Sequence, residues 1–312
     1  MQQGFNSPVA RLSNAHVKPI DIPAFGEYDT NTLGFPFNVF LVLVLRRGWW
    51  HYPNAHNNMG FEMSTLIEQA HSREWFYSYD LPDGSSTSTY HDDDIHVIHD
   101  TRWRMLQSYL DKNLGYNREG LSALDLASHQ GWFAVNMVNA GFSPVLGIDA
   151  RQSHVEDATL ISDIYGMDQL SFAQGDIHEQ SPEQLGRFDV VLMLGLLYHL
   201  ENPVGALRTC RSLCKKLCII ETQVVPGMTG FVDYGSYQYV RPLKGSFGII
   251  DEMDDTHGPE ASVTGISLVP SLDALMWILE KVGFSSATVV EPPADAYEQL
   301  RYHKRVMVAA HV

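Results

Sequence analysis

Two ring side chains, Tyr198 and His199, stand side by side in a setting suited to chemistry. They follow an apolar run, Phe188–Leu194, that stops at Gly195, and they precede Asn202-Pro203, which opens a new helix. Ligands of open α/β sheets bind at the carboxyl ends of the strands, so this segment would hold a phenol and an imidazole at the mouth of a site. An imidazole that titrates near neutrality suits removal of a proton from an attacking hydroxyl. His199 is thus the first candidate for a base, with His96 the second. Taken alone, the segment reads equally well as a strand-to-helix loop with two incidental rings.

The elements upstream repeat the pattern. A short apolar strand over 121–126 ends at Asp125-Leu126 and is followed by Ala127-Ser128-His129-Gln130-Gly131 and a helical stretch from Trp132. A small-residue turn of this kind lets backbone approach a ligand, and the helix behind it offers unpaired N–H groups. A second strand, over 141–149, ends in Asp149. An acid about 20 residues beyond such a turn is spaced to accept hydrogen bonds from both hydroxyls of a ribose. A third strand, Leu170–Gln174, runs into Gly175-Asp176-Ile177, where a carboxylate can accept from an adenine amino group. Each signal is weak by itself: a lone strand-end Asp is usually a helix cap, and Ala127 and His129 occupy places where glycine is usual. In order, the three strand ends outline a nucleoside.

On these residues the chain resembles the class I S-adenosyl-L-methionine (SAM) dependent methyltransferases. Asp125 to Gly131 is similar to a degenerate form of their first motif, Gly147-Ile148-Asp149 to the ribose-binding strand end, and Gly175-Asp176-Ile177 to the adenine-binding one. Leu196-Leu197-Tyr198-His199 followed by Asn202-Pro203 resembles the branch holding the tRNA wobble-uridine carboxymethyl transferases and many uncharacterised small-molecule methyltransferases. A pre-core segment, Trp75 to Gly84, and a late helix from Ser267 through Phe284 extend the likeness over about 75–310. The resemblance implies SAM as cofactor, bound by Asp125, Ala127, Ser128, Gly131, Asp149, Ala150, Arg151, Gly175, Asp176, Ile177, Leu194 and Tyr198. It also implies transfer of a methyl group, with Tyr198 shaping the methyl channel. In the carboxymethyl transferases a lysine ahead of the core helps hold the extra carboxylate of a modified cofactor. Tyr198 and Arg305 match the other two anchors here, but no lysine lies between Lys18 and Lys112. Ordinary SAM and a methylated product are therefore expected.

The alternation of strand and helix from Ser122 onward predicts an α/β Rossmann-like fold with right-handed crossovers. The family adds an antiparallel last strand, which residues 305–311 would supply to a seven-stranded, mostly parallel sheet. We expect an N-terminal extension over 1–120, with helices over 38–50, 62–74 and 100–114; a cofactor-binding core over 121–222; an insertion over 223–270; and the rest of the core over 271–312. A connection as long as 223–270 is commonly a functional lid, though a surface hairpin is the plain alternative. Trp75, Tyr77, Trp103, Tyr234 and Tyr239, with Arg305, are candidates to clamp a flat or sugar-like acceptor; for each ring, core packing is the ordinary explanation.

Composition narrows the partners. With a net charge of −16 over 312 residues, the chain carries no general electrostatic footprint for a polyphosphate, so a small-molecule acceptor is expected ahead of nucleic acid. Three cysteines and no leader-like segment fit a reducing, cytoplasmic setting. The apolar run Val39 to Leu45 is too short to span a bilayer; we read it as a core helix, with a membrane surface or a second subunit in a homodimer as the other options. His91, His96 and His99 with Asp92 to Asp94 have the ligand types for a divalent metal, but the acids also read as a solvated turn and helix start, and no metal is assigned. A tRNA-modifying enzyme and a non-catalytic SAM-binding protein, the latter suggested by the eroded first motif, remain the alternatives.

Overall fold

The computed structural model describes residues 55–91, 94–235, 237–252, 262 and 264–312. The expected helix over 38–50 and the run at Val39 to Leu45 lie outside these residues. Two helices, α1 (Ala55–His71) and α2 (Asp94–Leu114), precede the sheet. The second starts earlier than the expected 100–114 and so carries His96 and His99 as helical residues. The alternating core then runs β1 (Ala123–Leu126), α3 (Trp132–Asn139), β2 (Val145–Asp149), α4 (Gln152–Tyr165), β3 (Leu170–Gln174), α5 (Pro182–Leu185), β4 (Phe188–Leu194), α6 (Pro203–Leu213) and β5 (Cys214–Gln223).

Within 223–270, expected as a lid, the described residues include two antiparallel ribbons. One pairs β6 (Phe231–Tyr234) with β7 (Tyr237–Pro242), and the other pairs β8 (Phe247–Asp251) with β9 (Ile266–Pro270). The chain closes with α7 (Leu272–Val282), β10 (Ser286–Val290), α8 (Glu298–Arg301) and β11 (Arg305–His311).

Seven strands make one sheet in the order β10-β11-β5-β4-β1-β2-β3. Strands β1 to β5 pair in parallel, whereas β11 lies antiparallel between β5 and β10. This is the Rossmann-like arrangement with a reversed last strand. Every residue of β1 and β4 is buried, as expected for strands covered on both faces. Period-two alternation splits β4 between two cores. Val190, Leu192 and Leu194 face the cluster built with α1 to α4, and Val191 and Met193 face the one built with α6 and α7. Truncating a side chain such as Leu192 to alanine would remove about 2–5 kcal/mol.

Local chemistry explains the joins. Asn202 caps α6 by accepting the Gly205 N–H at 2.9 Å, with Pro203 at the first helical position. Strand β5 follows α6 directly at Cys214, with no turn residue between them. Cys210, Cys214 and Cys218 are buried and form no disulfide. No helix among the described residues is long and apolar enough to cross a membrane.

Candidate functional site

The carboxyl ends of β1, β2, β3 and β4 open into a cavity of about 640 Å³. At the first of them the turn holds Ala127 at φ 59°, His129 at φ 51° and Gly131 at φ 89°. The left-handed backbone of a glycine-rich turn is thus kept by an alanine and a histidine, at a strain of about 1–2 kcal/mol each. Such strain persists only where the surroundings over-determine it. Here they do. The His129 ring lies on His154 with centroids 3.8 Å apart, and the His129 backbone N–H donates to Asp149 Oδ2 at 2.8 Å. Gln130 straps the turn to the pre-core segment: it accepts the Phe76 N–H at 2.7 Å and donates to the Glu74 carbonyl and to Asp157. The Tyr79 hydroxyl donates to the Gln130 carbonyl at 2.7 Å. A Cβ on Gly131 would come within 2.6 Å of the Phe172 ring, so this position packs the helix onto the sheet.

Asp149, at the end of β2, is 5% exposed. Burial alone would raise its pKa, but hydrogen bonds from His154 and from the Arg151 and His129 amides hold the carboxyl below its ordinary range. It stays charged, with acceptor capacity left on Oδ2. Asp125, one strand over, behaves oppositely. Burial, and then the charge of Asp149, push it up to about 8. At the end of β3, Asp176 caps the following turn through Oδ1, accepting the His178 N–H at 2.8 Å.

The far end of the cavity is built by charge. Gly195 ends β4 at φ 78°, and a single 3-10 turn, Leu197–His199, presents Tyr198 and His199. The Tyr198 hydroxyl accepts from Arg305 at 2.8 Å. Glu221, wholly buried on β5, lies 3.1 Å from Arg305 and 2.9 Å from Arg102 of α2. His199 Nδ1 lies 2.6 Å from Glu252 Oε1. Phe76, Tyr77, Tyr90, His91 and His99 complete a largely aromatic wall. His99 is held well below the usual histidine range, first by burial and then by Arg102 and neighbouring imidazoles. It is neutral at physiological pH.

Of the residues singled out from sequence, Tyr77, Ala127, Asp149, Ala150, Arg151, Gly175, Asp176, Ile177, Leu194, Tyr198, His199 and Arg305 line this one cavity. Asp125, Ser128 and Gly131 are not among the residues that line it. Three others are placed elsewhere. Trp75 is fully buried and donates its ring N–H to the Ala70 carbonyl at 2.7 Å. Trp103 packs edge-on against Trp132 in the core, and His96 lies 3.3 Å from the Thr89 hydroxyl. The side chains of Tyr234 and Tyr239 lie outside the described residues, as do Asp92 and Asp93. Among the described residues no group of three His, Cys, Asp or Glu could hold a metal.

Sequence reading missed Arg102, Gln130, Glu221 as an ion-pair centre, and Glu252. An acid inside the apolar strand β5 was a usable signal for Glu221. Nothing local marks Glu252.

Comparison with known proteins agrees with this geometry. The family profile described as "Methyltransferase domain" matches residues 97–289. A tRNA U34 carboxymethyltransferase of Cellvibrio japonicus is 27% identical over 219 residues, covering 67% of this chain and 60% of the relative. That of Actinobacillus pleuropneumoniae is 25% identical over 213 residues, covering 66% and 59%. The chain thus spans about three-fifths of the length of these curated relatives. The crystal structure of the N-terminal domain of EvdMO1 with SAH bound superposes with a TM-score of 0.57 at 18% identity, covering 82% of this chain and 97% of that one. At that identity the likeness establishes a shared fold.

Proposed function

This chain belongs to the methyltransferase-domain family, and we propose that it transfers a methyl group from S-adenosyl-L-methionine to the hydroxyl of a small-molecule acceptor. The observation that carries the proposal is the continuity of one cavity from the nucleoside-shaped strand ends to Tyr198 and His199. When bound, SAM supplies an electrophilic methyl on a sulfonium. The residues fit it. Asp149 keeps its charge for a ribose diol, Asp176 retains an acceptor oxygen for an adenine amino group, and Ala150 and Ile177 offer apolar contact on either side. Asp125 Oδ2 and Ser128 Oγ are buried and have no hydrogen-bond partner among the described residues. Acceptors of this kind beside a turn suit the ammonium of an amino-acid tail.

The chain's own contribution is alignment and desolvation. The aromatic wall excludes water and positions the acceptor, Tyr198 shapes the passage to it, and His199 takes the acceptor proton. A tRNA acceptor is the second reading, favoured by the relatives' activity and by the Tyr198–Arg305 pair. The net charge of −16 weighs against it.

Isothermal titration of the full chain with SAM and S-adenosylhomocysteine is the first test, with micromolar binding of both expected. Release of S-adenosylhomocysteine over a panel of phenols, alcohols, amines and tRNA is the second, with turnover expected on hydroxyl compounds. No binding of either nucleoside overturns the proposal; binding with turnover only on tRNA transfers it to the second reading.

A further inference from the structure

We propose that Glu252, delivered by the inserted ribbons, is a positioning residue that fixes the His199 ring with its proton on Nδ1, so that Nε2 receives the acceptor proton. This rests on His199 as the base, as put forward above. It makes the 223–270 insertion part of the catalytic unit.

The carboxylate is held from several sides. Glu252 is 3% exposed, and its Oε1 lies 2.6 Å from His199 Nδ1. Oε2 accepts from the Ser262 N–H and from the hydroxyl of the fully buried Ser267, both at 2.9 Å. Its own N–H donates to the Gly265 carbonyl at 2.9 Å, and the Leu268 N–H on β9 donates to the Leu200 carbonyl, next to His199, at 3.0 Å. Burial would raise the Glu252 pKa, but His199, then Ser262 and Ser267, hold it below the usual carboxylate range. A charged, anchored carboxylate can only accept. The imidazole nitrogen facing it must therefore carry the hydrogen.

The consequence for transfer is specific. The acceptor O–H bond breaks and its proton passes to Nε2. The electron pair left on oxygen forms the new O–CH₃ bond as the S–CH₃ bond breaks, its pair staying on sulfur. The resulting imidazolium faces the Glu252 carboxylate, which balances its charge. This arrangement serves acceptors whose nucleophile is a protonated hydroxyl and adds nothing for a carboxylate that is already ionised.

A latch that merely ties the insertion to the core would show the same contact, and Glu252→Gln separates the two. The Ser262 N–H can only donate, so the amide oxygen stays beside it and the amide NH₂ turns to His199. The latch survives while the ring nitrogen facing residue 252 is forced to accept, moving the hydrogen to Nε2. Histidine-selective long-range ¹⁵N NMR reads this on the full chain saturated with S-adenosylhomocysteine, the His199 signals being assigned by their loss in His199→Gln. The wild type is expected as the Nδ1–H tautomer and Glu252→Gln as Nε2–H, with SAM affinity within about twofold and methyl transfer to a hydroxyl acceptor reduced roughly 10²–10⁴-fold. A wild-type ring that is Nε2–H or doubly protonated at neutral pH overturns the inference, as does a tautomer indifferent to the substitution. The wild-type spectrum decides alone should the variant not fold. Failure of the cofactor reading shows separately, as absent heat on titration with SAM.

Discussion

The two ends of the cavity are made by different physics. The nucleoside end uses strand tips that the sheet brings together: the turn after β1, Asp149 and Asp176 come from neighbouring parallel strands, and the Asp149 and Asp176 carboxylates accept from nearby amides. The transfer end gathers Arg102, Tyr198, His199, Glu221, Glu252 and Arg305 from separate segments and holds them by buried charge. The difference teaches where damage should appear. Removing a group from the first end should weaken binding, whereas removing one from the second should also weaken the fold, because it strands a partner charge in a dry interior.

Glu221→Gln is the hardest blow to that contrast. It leaves the Arg102 and Arg305 guanidiniums facing each other without a carboxylate, and urea unfolding should show a loss of about 3–5 kcal/mol. A loss under 1 kcal/mol would mean that the transfer end is not held by charge. Asp149→Asn should act on the ligand instead. Two charge-assisted hydrogen bonds at roughly 1.5–3 kcal/mol each predict SAM binding weaker by roughly 10²–10⁴-fold by calorimetry.

Asp125 sharpens the comparison through pH. Its folded pKa, about 8, lies above the unfolded value of 3.8. The folded state therefore holds the proton more tightly, and this group's contribution is full below pH 3.8 and declines as pH rises toward 8. Asp125→Asn removes the decline. It should melt higher than wild type at pH 7, by about 1–2 kcal/mol once the buried amide's own desolvation is counted, with the gap closing near pH 4. Ala127→Gly should be the mildest change. Relief of the left-handed strain, partly offset by a freer unfolded chain, predicts a gain below about 1 kcal/mol, measurable as a small rise in melting temperature.

Much of the nucleoside end is legible in the order of residues. Strands β1 to β4 announce themselves as apolar runs cut off by small or acidic residues, and that punctuation is local. The erosion of the first motif is equally visible, but its meaning is not. Ala127 and His129 read as lost glycines, whereas the backbone they carry keeps the glycine geometry, since His154, Asp149 and Gln130 brace it from three directions. The aromatic candidates show the limit. Trp75 and Tyr77 are two residues apart and look alike in the chain; one donates to a carbonyl in the core and the other lines the cavity. The cluster around His91 divides in the same way, with His91 and His99 in the wall and His96 turned to Thr89.

The antiparallel last strand was implied by the family resemblance; from the amino-acid order alone came the alternating fold, the three acids at the strand ends and the pairing of a phenol with an imidazole after β4. All of these are encoded within a few residues, by hydrophobic period and by where glycine, proline and acids interrupt it. Only the tertiary structure decided that Glu221 sits between two arginines and that Glu252 reaches His199. Partners so far apart in the chain leave no periodic mark, because their meeting is set by how β5, β11, α2 and the inserted ribbons pack.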